Sequence, residues 1–288
     1  MTDTLYHYCS NAAFQSILAS RKLRLSLLTM SNDAKEGWHA VEMAQRLLPG
    51  EFKHREAAIE QLERVMKSLS ALGFCLSARG DVLSQWRGYA DDARGVAIGF
   101  NKEALERETY AFSSERLIVR LAPVAYGQEF LETLIKDDLA PIIQLYNTGK
   151  LNAPVGGLLL AARSEFEILQ AQEGFKQAIE ELFPMLMRLA NYAYMVKSPF
   201  FAEEKEFRLL SLVTVQDKKL TIDVPGFVAD TDGLKPYREF PEERFDPKVV
   251  TEVIVGPRHK TPAHVMRLFL DINGFEHVEM RRSYGSYR

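Results

Sequence analysis

Between about Gln128 and Val196 the apolar residues of this chain recur at helical spacing, whereas on both sides they fall into short runs suited to strands. That change of period constrains the fold more than any single motif. Strand-forming segments before and after a long helical block predict an α+β fold, here a single domain over residues 1–288 with a mostly helical insertion at about 128–196. Within the insertion Ile179, Leu182, Phe183, Leu186, Leu189 and Ala193 form one stripe, Gly156-Gly157 interrupts the middle, and Pro184 is expected to kink or break the last helix.

The flanking segments read in more detail. Leu5-Tyr6-His7-Tyr8 is a strand, and Ser10 caps a helix that carries Phe14, Ile17 and Leu18 on one face. Leu23 to Leu27 alternates, which puts the three leucines on one side and Arg24 and Ser26 on the other. Ser31-Asn32-Asp33 is a polar loop, with a helix able to start at Ala34. A helix from about Glu56 to Leu72 aligns Ile59, Leu62, Val65, Met66, Leu69 and Leu72, and Phe74 to Ser77 is a short strand. Gly80-Asp81 turns the chain, Trp86 to Asp91 is a polar and aromatic turn, and Gly95 to Phe100 is a glycine-flanked strand. Later strands are expected at Glu206–Val215, Leu220–Val224, Val249–Val255 and about His277–Arg281. Thr261-Pro262 should start a helix, with proline at its first position, that buries Val265, Leu268 and Phe269 and stops at Gly274.

Composition removes several classes of function. A net charge of −3 argues against a surface given over to nucleic acid. Two cysteines, Cys9 and Cys75, make no disulfide framework and imply a reducing, cytoplasmic setting, with Cys75 expected as a buried inert thiol. The first residues do not form a secretion signal, and no run approaches the roughly 18 to 20 apolar residues of a membrane helix. His7 and Cys9 share a strand face but lack further ligands at metal-site spacing, so no metal is expected. Neither a Gly-x-Ser-x-Gly elbow nor a phosphate loop occurs. Glu203-Glu204-Lys205 has the acidic-x-Lys pattern of some metal-dependent nucleases, without a clearly placed partner Asp.

The remaining polar residues that suggest chemistry are His7 on the first strand, the Arg87/Tyr89 segment, and Glu206 at the start of a late strand. Glu206 and Arg208 point to one strand face, where a local ion pair on a solvated surface is the simpler reading.

At these residues the chain resembles the bacterial family of domain of unknown function 2971. The resemblance rests on Leu5 to Tyr8, Leu25-Ser26, Ser31 to Glu36, Phe74 to Ser77, Ser84 to Asp91, Gly95 to Phe100, Lys197 to Phe200, Glu204 to Arg208 and Val253 to Pro257. More distantly, the strand-His-helix-strand opening is similar to ADP-ribosyltransferase-like domains, among them toxins that modify nucleic acid. That resemblance implies a mixed, mainly antiparallel sheet core, NAD as substrate, and a toxin or phage-defence role. It puts His7, Ser26 and Glu206 at the three signature positions, with serine where a tyrosine is commoner. It further implies that Glu206 stabilises an oxocarbenium-like state or acts as base, and that His7, Tyr8 and Ser26 bind around the ribose and nicotinamide. Arg87 would pair with the pyrophosphate, and Trp86 or Tyr89 would stack on a ring. The acceptor, protein or nucleic acid among others, stays open, as does a controlling antitoxin or regulatory partner. Two other readings stand beside this one: a binding or regulatory module without chemistry, and a metal-dependent nuclease.

Overall fold

The computed structural model describes residues 3–30, 39–112, 119–151, 165–216, 219–221, 225–230, 233–285 and 287. Its strands are β1 (Thr4–Cys9), β2 (Leu23–Leu27), β3 (Leu69–Ser77), β4 (Val96–Asn101), β5 (Arg120–Pro123), β6 (Ala125–Tyr126), β7 (Val196–Lys197), β8 (Glu206–Gln216), β9 (Lys219–Thr221), β10 (Gly226–Asp230), β11 (Gly233–Phe240), β12 (Val250–Val255) and β13 (Glu279–Arg282). Its helices are α1 (Asn11–Ser20), α2 (His39–Leu47), α3 (Arg55–Ser68), α4 (Leu83–Tyr89), α5 (Lys102–Phe112), α6 (Gln128–Asn147), α7 (Glu165–Ala193) and α8 (Ala263–Ile272).

One open sheet runs in the order β10-β11-β2-β3-β1-β4-β12-β13, and β8 joins it along β3, carrying β5 and β9. Every pairing in it is antiparallel except β12 with β13; β6 and β7 form a separate parallel pair. The fold is therefore α+β with a mixed, mainly antiparallel sheet. Alternation along β3 divides the interior into two cores. Leu72, Phe74 and Leu76 face Phe14, Ile17 and Leu18 of α1 and Met266 and Leu270 of α8. Leu69 and Ala71 face the other way, into a layer built from α2, α3, α6 and α7. Burying each such leucine contributes about 1.5–3 kcal/mol.

Local signals work where they involve hydrogen bonds or close approach. The Ser10 hydroxyl accepts from the Ala13 amide at 3.3 Å and starts α1. Gly95 is demanded by packing, because a Cβ there would run into the Cys9 carbonyl oxygen. Four expectations differ from the fold. The helix expected to reach Leu72 ends at Ser68, since Leu69 to Ser77 pairs with β8 residue by residue, from Leu69–Thr214 to Ser77–Glu206. In α8 Pro262 is the cap and not the first helical residue, and the buried residues are Met266 and Leu270, while Val265 and Leu268 are exposed. Phe269, also expected inside, is half-buried against the first core and shares a face with Met266 and Leu270 at i, i+3, i+4, a stripe that excludes Val265 and Leu268. The Trp86–Asp91 turn is instead helix α4 through Tyr89, and of the kink or break expected at Pro184 the break does not occur, since α7 is continuous across it. The Asn32-Asp33 loop, the Ala34 start and Gly156-Gly157 lie outside the described residues. Among the described residues no helix is long and apolar enough to cross a membrane.

Candidate functional site

The sheet is interrupted beside β3. Along one edge β8 pairs with all of β3, but on the other edge β2 meets it at Leu72 and Gly73 and β1 meets it at Ser77. Residues 74–76 therefore border a gap between β2 and β1, and a cleft of about 380 Å³ opens there. Tyr6, His7 and Tyr8 line it from β1, Cys75 from β3, and Gln85, Gly88 and Tyr89 from α4. Lys197, Glu204, Glu206 and Arg208 line it from β7, β8 and the intervening 3-10 turn, with Lys235 from β11.

His7 takes the place of a missing ladder contact. Its Nδ1 lies 2.8 Å from the Cys75 carbonyl oxygen, and its ring stacks on Phe74 with centroids 4.0 Å apart. Burial pushes the imidazole down to about 4, a shift that the Cys75 hydrogen bond opposes only in part. A carbonyl can only accept, so Nδ1 carries the proton, and a neutral ring then leaves Nε2 as an acceptor. Tyr8 is held by its hydroxyl, which donates to the Arg79 carbonyl at 2.9 Å and accepts from the Val82 amide at 3.0 Å. Burial raises its pKa, so the hydroxyl stays protonated.

Four charges are buried in the wall of this cleft. Arg208 donates from Nε to Glu206 Oε1 at 2.7 Å, from Nη2 to Oε2 at 3.1 Å, and from Nη1 to the Tyr194 carbonyl at 2.7 Å. Lys197 Nζ bridges Glu206 Oε2 at 3.1 Å and Glu204 Oε2 at 2.8 Å, and lies 4.8 Å from the Phe201 ring centre. Tyr89 donates to Glu204 Oε1 at 2.7 Å. The side chains of Lys197, Glu206 and Arg208 are 4%, 5% and 2% exposed. The pairing of Glu206 with Arg208 is thus real but not on a solvated face, because the end of α7 and the turn Pro199–Glu204 cover it. Burial pushes the Glu206 carboxyl upward, yet the Arg208 and Lys197 charges and the Cys75 thiol outweigh it and hold the group below the usual carboxylate range. Burial opposes the charge on Lys197 as well, and Glu206 and Glu204 outweigh that burial.

Cys75 corrects another expectation. It is exposed at the cleft and directly opposite Arg208, because the same alternation that buries Phe74 and Leu76 turns Cys75 to the other face. Trp86 is buried, not free to stack on a ligand, and its indole N–H donates to Asp81 at 2.7 Å. Arg87 is exposed on α4, and Ser26 sits on β2 opposite Gly73 and Tyr237; neither lines the cleft. His7, Tyr8, Tyr89 and Glu206 do. Lys197, Glu204 and Lys235 also line the cleft; the sequence marks Glu204 as part of an acidic-x-Lys pattern and gives neither lysine a role in the site. The signal available for Lys197 was a cation closing the apolar run Tyr194-Met195-Val196.

Lys205 separates the two glutamates in a left-handed conformation, φ 45°, at the end of the 3-10 turn, and its carbonyl accepts from Ala78 at 3.0 Å. A left-handed L-residue costs roughly 1–2 kcal/mol that glycine avoids. Lys205→Gly should therefore raise the urea midpoint by the equivalent of about 1 kcal/mol, whereas Lys205→Val should lower it. An unchanged midpoint in both variants would contradict this backbone assignment.

Among the described residues no group of three or more His, Cys, Asp or Glu side chains is placed to hold a metal ion. No curated protein and no solved structure matches the chain. Residues 85–209, which include the α4 wall and all four buried charges, match the family model described as "Protein of unknown function (DUF2971)".

Proposed function

We propose that the cleft is an NAD site and that the protein is an ADP-ribosyltransferase-like enzyme. The observation that carries this reading is that His7, Tyr89 and Glu206, from three distant parts of the sequence, line one cleft at a break in the sheet. Its volume falls in the range of small-molecule sites, and its aromatic walls with a few converging polar groups are what a nucleotide ring system needs. In the reaction the bond between ribose C1′ and the nicotinamide nitrogen breaks, and its electron pair leaves with nicotinamide. An acceptor nucleophile then bonds to C1′ and gives up its proton to a base. Glu206, kept ionised by its neighbours, would stabilise positive charge at C1′. His7 Nε2 would accept from a ribose hydroxyl, and Lys235, which lines the cleft as Arg87 does not, would meet the pyrophosphate. Acceptor identity, an effector role as toxin or in phage defence, and an antitoxin or regulatory partner belong to the same proposal.

A second reading, a binding module without chemistry, is favoured by one observation: both oxygens of Glu206 are already bonded to Arg208 and Lys197. A nuclease is less well supported, since Glu203 binds Ser84 and Glu204 is matched by Lys197. Thermal shift and nicotinamide release divide the readings. Saturating NAD should stabilise the protein by about 2.7 kcal/mol at a hundred times its Kd. Wild type should release nicotinamide, and Glu206→Gln should release it at least ~100-fold more slowly at a temperature where circular dichroism shows both to be folded. Binding without release supports the module, and the absence of both signals removes NAD from consideration.

A further inference from the structure

Behind the α4 wall of the cleft several polar contacts converge on Asp81, in the turn between β3 and α4. Asp81 Oδ1 accepts from Trp86 Nε1 at 2.7 Å and from the Ser283 hydroxyl at 2.6 Å. Oδ2 accepts from the Tyr284 amide at 2.8 Å, and the Arg281 guanidinium lies 4.0 Å away. One carboxylate thus joins α4, through its buried tryptophan, to β13 and the segment that follows it. A second tie runs beside the first. Tyr287 donates to Asp92 at 2.9 Å, Asp92 pairs with Arg258, and the Arg258 guanidinium lies 5.6 Å from the Tyr287 ring centre. Asp92 belongs to the left-handed run Asp91-Asp92-Ala93 just after α4, so both ends of that helix are held by the C-terminal segment.

The cleft depends on where α4 sits. Gln85, Gly88 and Tyr89 face the cleft from it, and Trp86 packs edge-on against Tyr8 with centroids 4.8 Å apart. At seven residues α4 is too short to hold its conformation alone, and its placement must come from tertiary ties. Asp81 supplies the tie that reaches inside the helix, since losing it would leave the Trp86 N–H buried without its acceptor.

We propose that Asp81 is a positioning residue for the cleft, anchoring α4, and with it Tyr89 and Tyr8, to the C-terminal segment. Its first readout is independent of the NAD reading; its second rests on that reading. Amide exchange of the full chain should rise roughly tenfold across residues 83–90 in Asp81→Ala, with β3 and β8 unchanged, and Asp81→Asn should give a smaller rise. NAD affinity, measured by titration, should fall roughly tenfold in Asp81→Ala and less in Asp81→Asn. Unchanged exchange over 83–90 in a folded Asp81→Ala would overturn the proposal, as would a uniform rise that includes β3 and β8. Local exchange that rises while NAD affinity holds would also overturn it, since α4 would then not shape the ligand site. If wild type binds no NAD, the functional reading fails while the exchange result still decides whether Asp81 holds the helix.

Discussion

Arg208→Met should lower stability by about 3–5 kcal/mol, read as a fall in the urea midpoint at constant slope. Arg208 makes two bonds to Glu206 and one to the Tyr194 carbonyl. Removing it leaves Lys197 to neutralise two carboxylates, Glu204 and Glu206, in a place where little water can help. Removing both members of the pair is a different matter. In Glu206→Leu with Arg208→Met, Lys197 keeps Glu204 and the pocket stays neutral, so most of the lost stability should return. Buried ion pairs replaced by apolar groups of similar size are often neutral or stabilising. A double variant no better than Arg208→Met would mean that the cost comes from lost shape and not from an uncompensated charge. The expected recovery has a functional corollary: if apolar residues can replace Glu206 and Arg208, that pair is not needed for the fold, and the cleft it borders is the reason to keep it.

The sequence made the sheet and the cleft legible to different depths. Strand alternation at Leu23–Leu27, the Ser10 cap and the glycine-flanked strand after Gly95 are local, and each appears as expected. His7 and Glu206 could be suspected because a polar residue at the mouth of an apolar strand is conspicuous. The places of Lys197, Glu204 and Cys75 in the cleft could not be read, for a physical reason. Their environment is set by the full-length pairing of β3 with β8 and by the cover from the end of α7, both contacts between residues far apart in sequence. The same pairing converted Leu69 and Leu72 from an expected last helical turn into strand. Arg87 and Trp86 show the converse: a helical turn exchanged their expected roles, turning the tryptophan inward and the arginine outward.

His7 should make the fold sensitive to pH in a window of its own. Its folded pKa, about 4, lies below the ordinary 6.5 because burial disfavours the charged ring. The folded protein then binds fewer protons than the unfolded chain between those values, so stability rises with pH across the window. His7 contributes fully above about pH 6.5, and its contribution is lost as pH falls toward 4. Between pH 7.5 and 5 the expected loss is about 2 kcal/mol, from 1.36 kcal/mol per unit. Glu206 does not blur this range, since its carboxyl is held below its ordinary 4.5 and its contribution fades only in stronger acid. His259 does fall within it, also lowered chiefly by burial and then by Arg282, so the measurement is a difference between proteins. His7→Gln retains a donor for the Cys75 carbonyl but cannot titrate. Its urea midpoint should therefore change less than that of wild type over pH 7.5 to 5, with His259 contributing equally to both. Parallel pH profiles would show that His7 keeps its ordinary pKa, and that the ring is reached by water through the cleft. The neutral Nε2 acceptor assigned to it for ribose would then be lost near pH 6, and NAD affinity should fall with it.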